Sequence, residues 1–263
     1  MLRVHHLNCS TLCTPGGRWL LGSGNDGCLV CHCLLIETNA GLCLVDTGFG
    51  LRDVADPVKR IGRVDRFFLG PKLSPEETAA HQIEALGFNR DDVRHIILTH
   101  LDIDHAGGLA DFPTAKVHLM AAEHALTTRA LKGRARRRYN TKSWAHGPDF
   151  RPYTPAGEPW HGFACVRDLE GLPNEILLVP LDGHSVGHAA VALQTEKGWL
   201  LHAGDAYFHR ASMTEPQAVP RALRLLQRTN AWDRKRANAN RERLRRLARD
   251  AASEIRGFCS HDP

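Results

Sequence analysis

The run Thr99-His100-Leu101-Asp102-Ile103-Asp104-His105-Ala106-Gly107-Gly108 directly follows the apolar stretch His95-Ile96-Ile97-Leu98. His100, Asp102, Asp104 and His105 bring four metal-ligating side chains into six residues. A strand that ends in such a run aims imidazoles and carboxylates from one tight loop at one point. Nitrogen and oxygen donors of this kind suit zinc, iron or manganese. A solvated polar turn would fit the run alone, but not the sequence downstream.

Three later segments repeat the pattern of a strand followed by ligand-type residues. They are Leu181-Asp182-Gly183-His184-Ser185-Val186-Gly187-His188, Ala203-Gly204-Asp205 and Ser260-His261-Asp262. A single histidine after a strand is usually structural. The joint occurrence of all four strand ends predicts a metal site assembled at the ends of several strands.

Periodicity places these strands. Residues 28–37 and 42–46 are apolar runs around the turn Thr38-Asn39-Ala40-Gly41, which predicts a hairpin buried on both faces. Ser74-Pro75-Glu76-Glu77 predicts a capped helix start, and Gly87 a helix end. Further strands are expected at 95–98, 115–120, 176–181, 189–194, 199–202 and 254–260. Helices are expected at 121–131, 220–228 and 232–250, the last with the apolar stripe Leu244, Leu247, Ala248 and Ala251. Residues 133–173 lack regularity but carry Tyr139, Trp144, Phe150 and Tyr153, and read as an ordered flap within one domain spanning 1–263. Strands and helices occur in both halves, which fits two packed sheets with helices outside.

Composition narrows the class. The chain is 43% hydrophobic and 24% charged, ordinary for a globular protein. No apolar run approaches the ~20 residues of a membrane span. The first residues lack the apolar core of a signal peptide, so the cytoplasm is the expected location. The eight cysteines are too few for a disulfide scaffold. Cys31-His32-Cys33 alternates faces on a strand, so the cysteines read as reduced, small buried hydrophobes. The +5 net charge is uneven: 129–142 holds seven basic and no acidic residues, and 221–249 holds eleven basic and two acidic. Both segments read as solvated helix faces. Tyr139 is the one aromatic beside Arg134–Arg138, so nucleic acid is an unlikely partner.

The whole arrangement resembles the metallo-β-lactamase superfamily, from about Cys28 to His261. The markers are Leu44-Val45-Asp46-Thr47-Gly48, His100-x-Asp102-x-Asp104-His105, Gly183-His184-Ser185-x-Gly187-His188, Gly204-Asp205 and Ser260-His261. The resemblance implies an αββα four-layer sandwich (α/β class) with a dinuclear site of two divalent metal ions along one edge. His100, His184 and position 102 would hold one ion. Asp104, His105 and His261 would hold the other, and Asp205 would bridge them. Asp46 would orient a ligand imidazole, and His188 would support the ligands from behind. Zinc is the family's usual metal. Most members have histidine where this chain has Asp102, and an aspartate there shifts preference toward iron or manganese.

Two metals about 3.5–4 Å apart activate water and polarise a carbonyl or phosphoryl oxygen, so hydrolysis is the expected reaction, with Asp104 relaying a proton. The length and the Gly-His-Ser-x-Gly-His element look most like N-acyl homoserine lactonases, which implies a small lactone or related ester as substrate. In those enzymes a tyrosine three residues after the bridging aspartate contacts the substrate; Tyr207, two residues after Asp205, is the candidate here. The aromatic flap is the expected acyl-binding wall. Two alternatives are a phosphodiesterase or ribonuclease, suggested by the basic helices, and a di-iron redox protein, suggested by Asp102. The sequence sets no oligomeric state.

Overall fold

In the computed structural model, which describes residues 2–22 and 26–262, ten strands form two sheets. The first sheet runs β1 (Arg3–Leu12), β2 (Leu29–Thr38), β3 (Gly41–Val45), β4 (Val93–Ile97), β5 (Lys116–Met120) and β6 (Asp149–Tyr153), in that spatial order. Its first two pairings are antiparallel and the other three parallel. The second sheet contains β7 (Ile176–Pro180), β8 (Ala189–Thr195), β9 (Gly198–His202) and β10 (Ile255–Phe258), ordered β10-β9-β8-β7.

The two-residue period of the strands sorts their side chains into layers. Leu34, Ile36, Cys43, Val45 and Ile97 face Ile176, Leu178, Val191 and Leu193 between the sheets. The alternate residues Cys33, Leu35, Leu42, Leu44 and Ile96 face outward, under the helix Ala79–Ala85. On the far side, Leu177, Val179, Ala190 and Leu201 meet Leu244 and Leu247 of the helix Arg234–Asp250. The result is the expected four-layer αββα sandwich, and the hairpin at β2–β3 is buried on both faces as its unbroken apolar run requires.

Several local expectations are corrected. Residues 75–77 form a single 3₁₀ turn, and the helix proper begins after Thr78, whose hydroxyl accepts from the His81 N–H. Thr78, not Ser74, is therefore the helix cap. The helix expected at 121–131 stops at His124. The irregular 133–173 stretch contributes a short helix, Gly133–Arg138, and the edge strand β6. Its aromatics turn inward: Tyr139 and Trp144 are buried in the core beneath the first sheet, and Phe150 packs on it. Tyr153 packs on the inter-sheet core. These rings are core, not an acyl-binding wall. Cys13 and Cys28 form a disulfide, which corrects the fully reduced reading, while the other six cysteines are free and buried. Among the described residues, no helix is long and apolar enough to cross a membrane.

Asp111 gives the fold a pH-dependent weak point. Burial pushes its carboxyl up to about 6, and nearby Asp53 adds to this, although the Leu51 N–H donates to it at 2.8 Å. A carboxyl pKa raised in the fold means stability is lost as pH climbs through the folded value. Asp111→Asn keeps an acceptor for Leu51 and removes the charge. It is expected to raise unfolding free energy by about 1–2 kcal/mol at pH 8 and by little at pH 4. Paired urea titrations at the two pH values check this; equal effects at both would contradict it.

Candidate metal centre

All seven expected ligands converge at the carboxyl ends of the strands. β4 delivers His100, Asp102, Asp104 and His105; the loop after β7 delivers His184; the turn after β9 delivers Asp205; and the turn after β10 delivers His261.

Backbone and side-chain partners fix His100, His105 and His261 so that one nitrogen of each faces the cluster. Asp46 accepts from the Thr99 N–H at 2.8 Å, the Thr99 hydroxyl at 2.7 Å and His105 Nδ1 at 2.8 Å. Asp46 sits in left-handed backbone at φ 57°, which is where the chain leaves β3 toward the site. His100 Nδ1 is 3.0 Å from the Thr99 hydroxyl, and His261 Nδ1 donates to the Val30 carbonyl at 2.8 Å. His188 is not part of the ligand cluster. Its Nδ1 bonds the Leu181 carbonyl and its Nε2 accepts from the Asp205 N–H at 2.9 Å, so it holds the Asp205 turn. Gly204 makes that reach possible: it has φ 54°, and a Cβ there would lie 2.5 Å from His188 Nε2.

The donors form two groups. His105 Nε2 lies 3.3 Å from Asp205 Oδ1 and 3.7 Å from Asp104 Oδ2. His261 Nε2 lies 3.6 Å from Asp104 Oδ2 and 3.1 Å from Asp205 Oδ2. In the other group, Asp102 Oδ2 is 3.2 Å from His100 Nε2 and 3.3 Å from His184 Nε2, which is itself 3.3 Å from Asp205 Oδ2. Donors about 2.0–2.1 Å from a tetrahedral ion are about 3.3–3.4 Å apart, so this spacing suits a metal. The clearest sign is chemical. Among the described residues, His100 Nε2, His105 Nε2 and Asp205 Oδ1 are buried polar atoms with no hydrogen-bond partner, and all three face one another. Buried polar atoms are almost always paired, so three orphans in one cluster mark where a cation fits.

Electrostatics separates the two groups. Burial opposes charging of His261, but Asp205 and Asp104 outweigh it and push the imidazole up to about 9. His105 is driven up in the same way, by Asp205 and Asp104 against burial. His184 moves the opposite way, down to about 3, through burial and the positive charge of Arg138. The second group attracts a cation, whereas the first already faces one.

Arg138 is a residue of the centre that the sequence does not point to. It ends the helix Gly133–Arg138, read from its basic run as a solvated face, yet its guanidinium grips Asp102 through both oxygens at 2.7 and 2.6 Å. An aspartate in a histidine position is the signal that called for a cation. Glu123 was also missed. It is fully buried and accepts from the Leu101 N–H (3.1 Å), the Ser185 hydroxyl (2.9 Å) and the Gly187 N–H (2.8 Å), so it ties the two ligand loops together. Cys31, expected to be only a packing residue, lies with Asp104 and His261 at the edge of the second group.

Tyr207 is not at the site. It is buried in the apolar layer beneath the second sheet with Leu201 and Ile255, and its hydroxyl lies beside Gly257 of β10. The two-residue offset from Asp205 turns it inward. Phe208 takes the site-facing place instead, with its ring 5.9 Å from that of His184 and 5.3 Å from that of His261.

The family model of the metallo-beta-lactamase superfamily matches residues 26–252. The chain belongs to that superfamily. It is 43% identical over 264 residues to a probable metallo-hydrolase of Mycobacterium tuberculosis, covering 100% of this chain and 81% of the relative. It is 27% identical over 197 residues to an N-acyl homoserine lactonase of Bacillus cereus, covering 71% of each chain. Among solved structures, an N-acyl homoserine lactone hydrolase with the product N-hexanoyl-L-homoserine at its catalytic metal centre superposes with a TM-score of 0.71 at 21% identity, covering 98% of this chain and 92% of the other. The dizinc quorum-quenching lactonase AidC superposes with a TM-score of 0.64 at 17% identity, over 100% and 87%. These two superpositions speak to the shared fold. As a metallo-hydrolase of this superfamily, the chain offers histidine and aspartate groups able to hold divalent metal.

Proposed function

We propose that this metallo-hydrolase opens lactones or cleaves closely related acyl esters, with Asp104, His105, Asp205 and His261 holding the catalytic ion. The observation that carries the metal part is the pair of orphaned donors, His105 Nε2 and Asp205 Oδ1, with the orphaned His100 Nε2 facing them. The likeness to named lactonases and the apolar rim carry the substrate part. Phe208 and Ile103 belong to one apolar cluster with Leu21, Leu223 and the partly buried Leu69. The helices that supply those leucines, Gly17–Leu21, Arg63–Leu69 and Arg221–Asn230, leave Trp19, Phe67, Phe68 and Leu225 exposed. These exposed side chains replace the 133–173 aromatics as the candidate acyl-binding surface.

A divalent ion in this group supplies Lewis-acid polarisation of the substrate carbonyl and water acidified enough to attack at neutral pH. The chain's own residues do the rest. Asp46 keeps His105 Nε2 turned to the cluster, and the Val30 carbonyl does the same for His261. Phe208 shields the imidazoles from bulk water. Asp104, with its side chain 12% exposed, is placed to accept a proton and return it to the leaving alkoxide.

A panel of acyl-homoserine lactones, simple lactones, thioesters, nitrophenyl esters and bis-nitrophenyl phosphate tests this reading on the metal-loaded protein. Lactone hydrolysis that chelation abolishes and zinc restores is the expected result. Turnover of the phosphodiester alone would replace this reading with the phosphodiesterase one.

A further inference from the structure

Arg138 is seated, not merely nearby. Its Nε donates to Asp102 Oδ1 at 2.7 Å, and Nη2 donates to Asp102 Oδ2 and to His184 Nε2, each at 2.6 Å. Nη1 donates to the backbone carbonyls of His184 and Asn230, each at 2.8 Å. A guanidinium has five N–H donors. All five have acceptors here, and the side chain is only 12% exposed. The two carbonyls come from different segments, so the seat is built into the fold around the first donor group.

The seat engages two of that group's three side chains, Asp102 and His184. A neutral imidazole nitrogen has one lone pair, and that of His184 Nε2 is directed at Arg138. Asp102 offers both oxygens to the same guanidinium in the bidentate geometry that arginine and carboxylate favour. Nη2 thus lies against the edge between Asp102 Oδ2 and His184 Nε2, where an ion on that group would have to bind. The second group is untouched. Arg138 makes no bond to Asp104, His105 or His261, and the orphaned His100 Nε2 faces His105 and Asp205.

We propose that Arg138 stands in for one of the two ions expected of this site, so that the chain holds a single divalent ion on Asp104, His105, Asp205 and His261. The guanidinium then supplies the fixed positive charge beside Asp102 and His184. With no donor left over, it acts through that charge and through the position it gives His184. The pairing of Asp102 with Arg138 is the substitution that makes this possible: with histidine at position 102 the guanidinium would lose the carboxylate it clasps through both oxygens. This replaces the expectation that Asp102 coordinates and tunes a first metal. It rests on the metal-centre reading but not on the choice of substrate.

Metal titration of the full chain decides it. Protein stripped by chelation is titrated with Zn²⁺, desalted and analysed for metal; a parallel Co²⁺ titration is followed by its visible absorption. The wild type is expected to saturate at about one equivalent, with one Co²⁺ spectral phase. The double variant Asp102→His with Arg138→Met is expected to take up about two equivalents, in two phases. Saturation of the wild type at about two equivalents would overturn the proposal, even with lactone hydrolysis intact. One equivalent without hydrolysis of any lactone would support it and overturn the substrate reading. No binding at all would overturn both. The wild-type titration decides by itself if the double variant does not fold.

Discussion

Asp205→Asn is expected to reduce kcat/KM for the hydrolysed substrate by on the order of 10³-fold and to weaken zinc binding in the same protein. Asp205 is the carboxylate that reaches both donor groups. Its Oδ1 lies 3.3 Å from His105, and its Oδ2 lies 3.3 Å from His184 and 3.1 Å from His261. Asparagine preserves the shape and the backbone bond from Asp205 N–H to His188, so the turn after β9 should survive. It removes the anion, however, and with it the charge that draws a cation among the imidazoles. Equilibrium dialysis against zinc and steady-state kinetics read the two effects separately. A variant that keeps wild-type zinc affinity and falls less than about tenfold in rate would show that Asp205 is not central to the site.

Glu123→Ala is expected to cost about 3–5 kcal/mol of stability. Burial pushes its carboxyl upward, while His100 and the donors from Ser185 and Leu101 pull it down. Alanine leaves the Leu101 N–H, the Gly187 N–H and the Ser185 hydroxyl buried without their acceptor. Leaving such donors unpaired costs more than losing a surface bond. Because these groups belong to the loops carrying His100 and His184, metal affinity should fall together with stability. Urea unfolding checks the first effect and dialysis the second. A loss under about 1 kcal/mol would mean that water or loop shifts replace the carboxylate.

The contrast between Glu123 and the histidines explains what could be read from the chain. Each donor of the site follows an apolar run, so position and chemistry are both local, and all seven converge as the four strand ends imply. The β2–β3 hairpin and the helix Arg234–Asp250 were equally legible, since their periodicity is a property of a short window. Glu123 and Arg138 act across the fold, on partners 22 to 64 and 36 to 92 residues away, and nothing in their immediate neighbours announces that. The basic run containing Arg138 resembles any solvated helix face until Asp102 is found opposite it. Tyr207 and the 133–173 aromatics failed for a related reason. An aromatic close to a site in sequence still packs where the core needs volume: Tyr207 beneath the second sheet, Tyr139 and Trp144 beneath the first, and Tyr153 against the layer between them.

Anomalous diffraction at the zinc edge from crystals grown with excess zinc tests the arrangement most directly. A single peak is predicted among Asp104, His105, Asp205 and His261, with the Arg138 guanidinium still clasping Asp102 beside His184. Two peaks with Arg138 displaced from Asp102, or none among these donors, would contradict it.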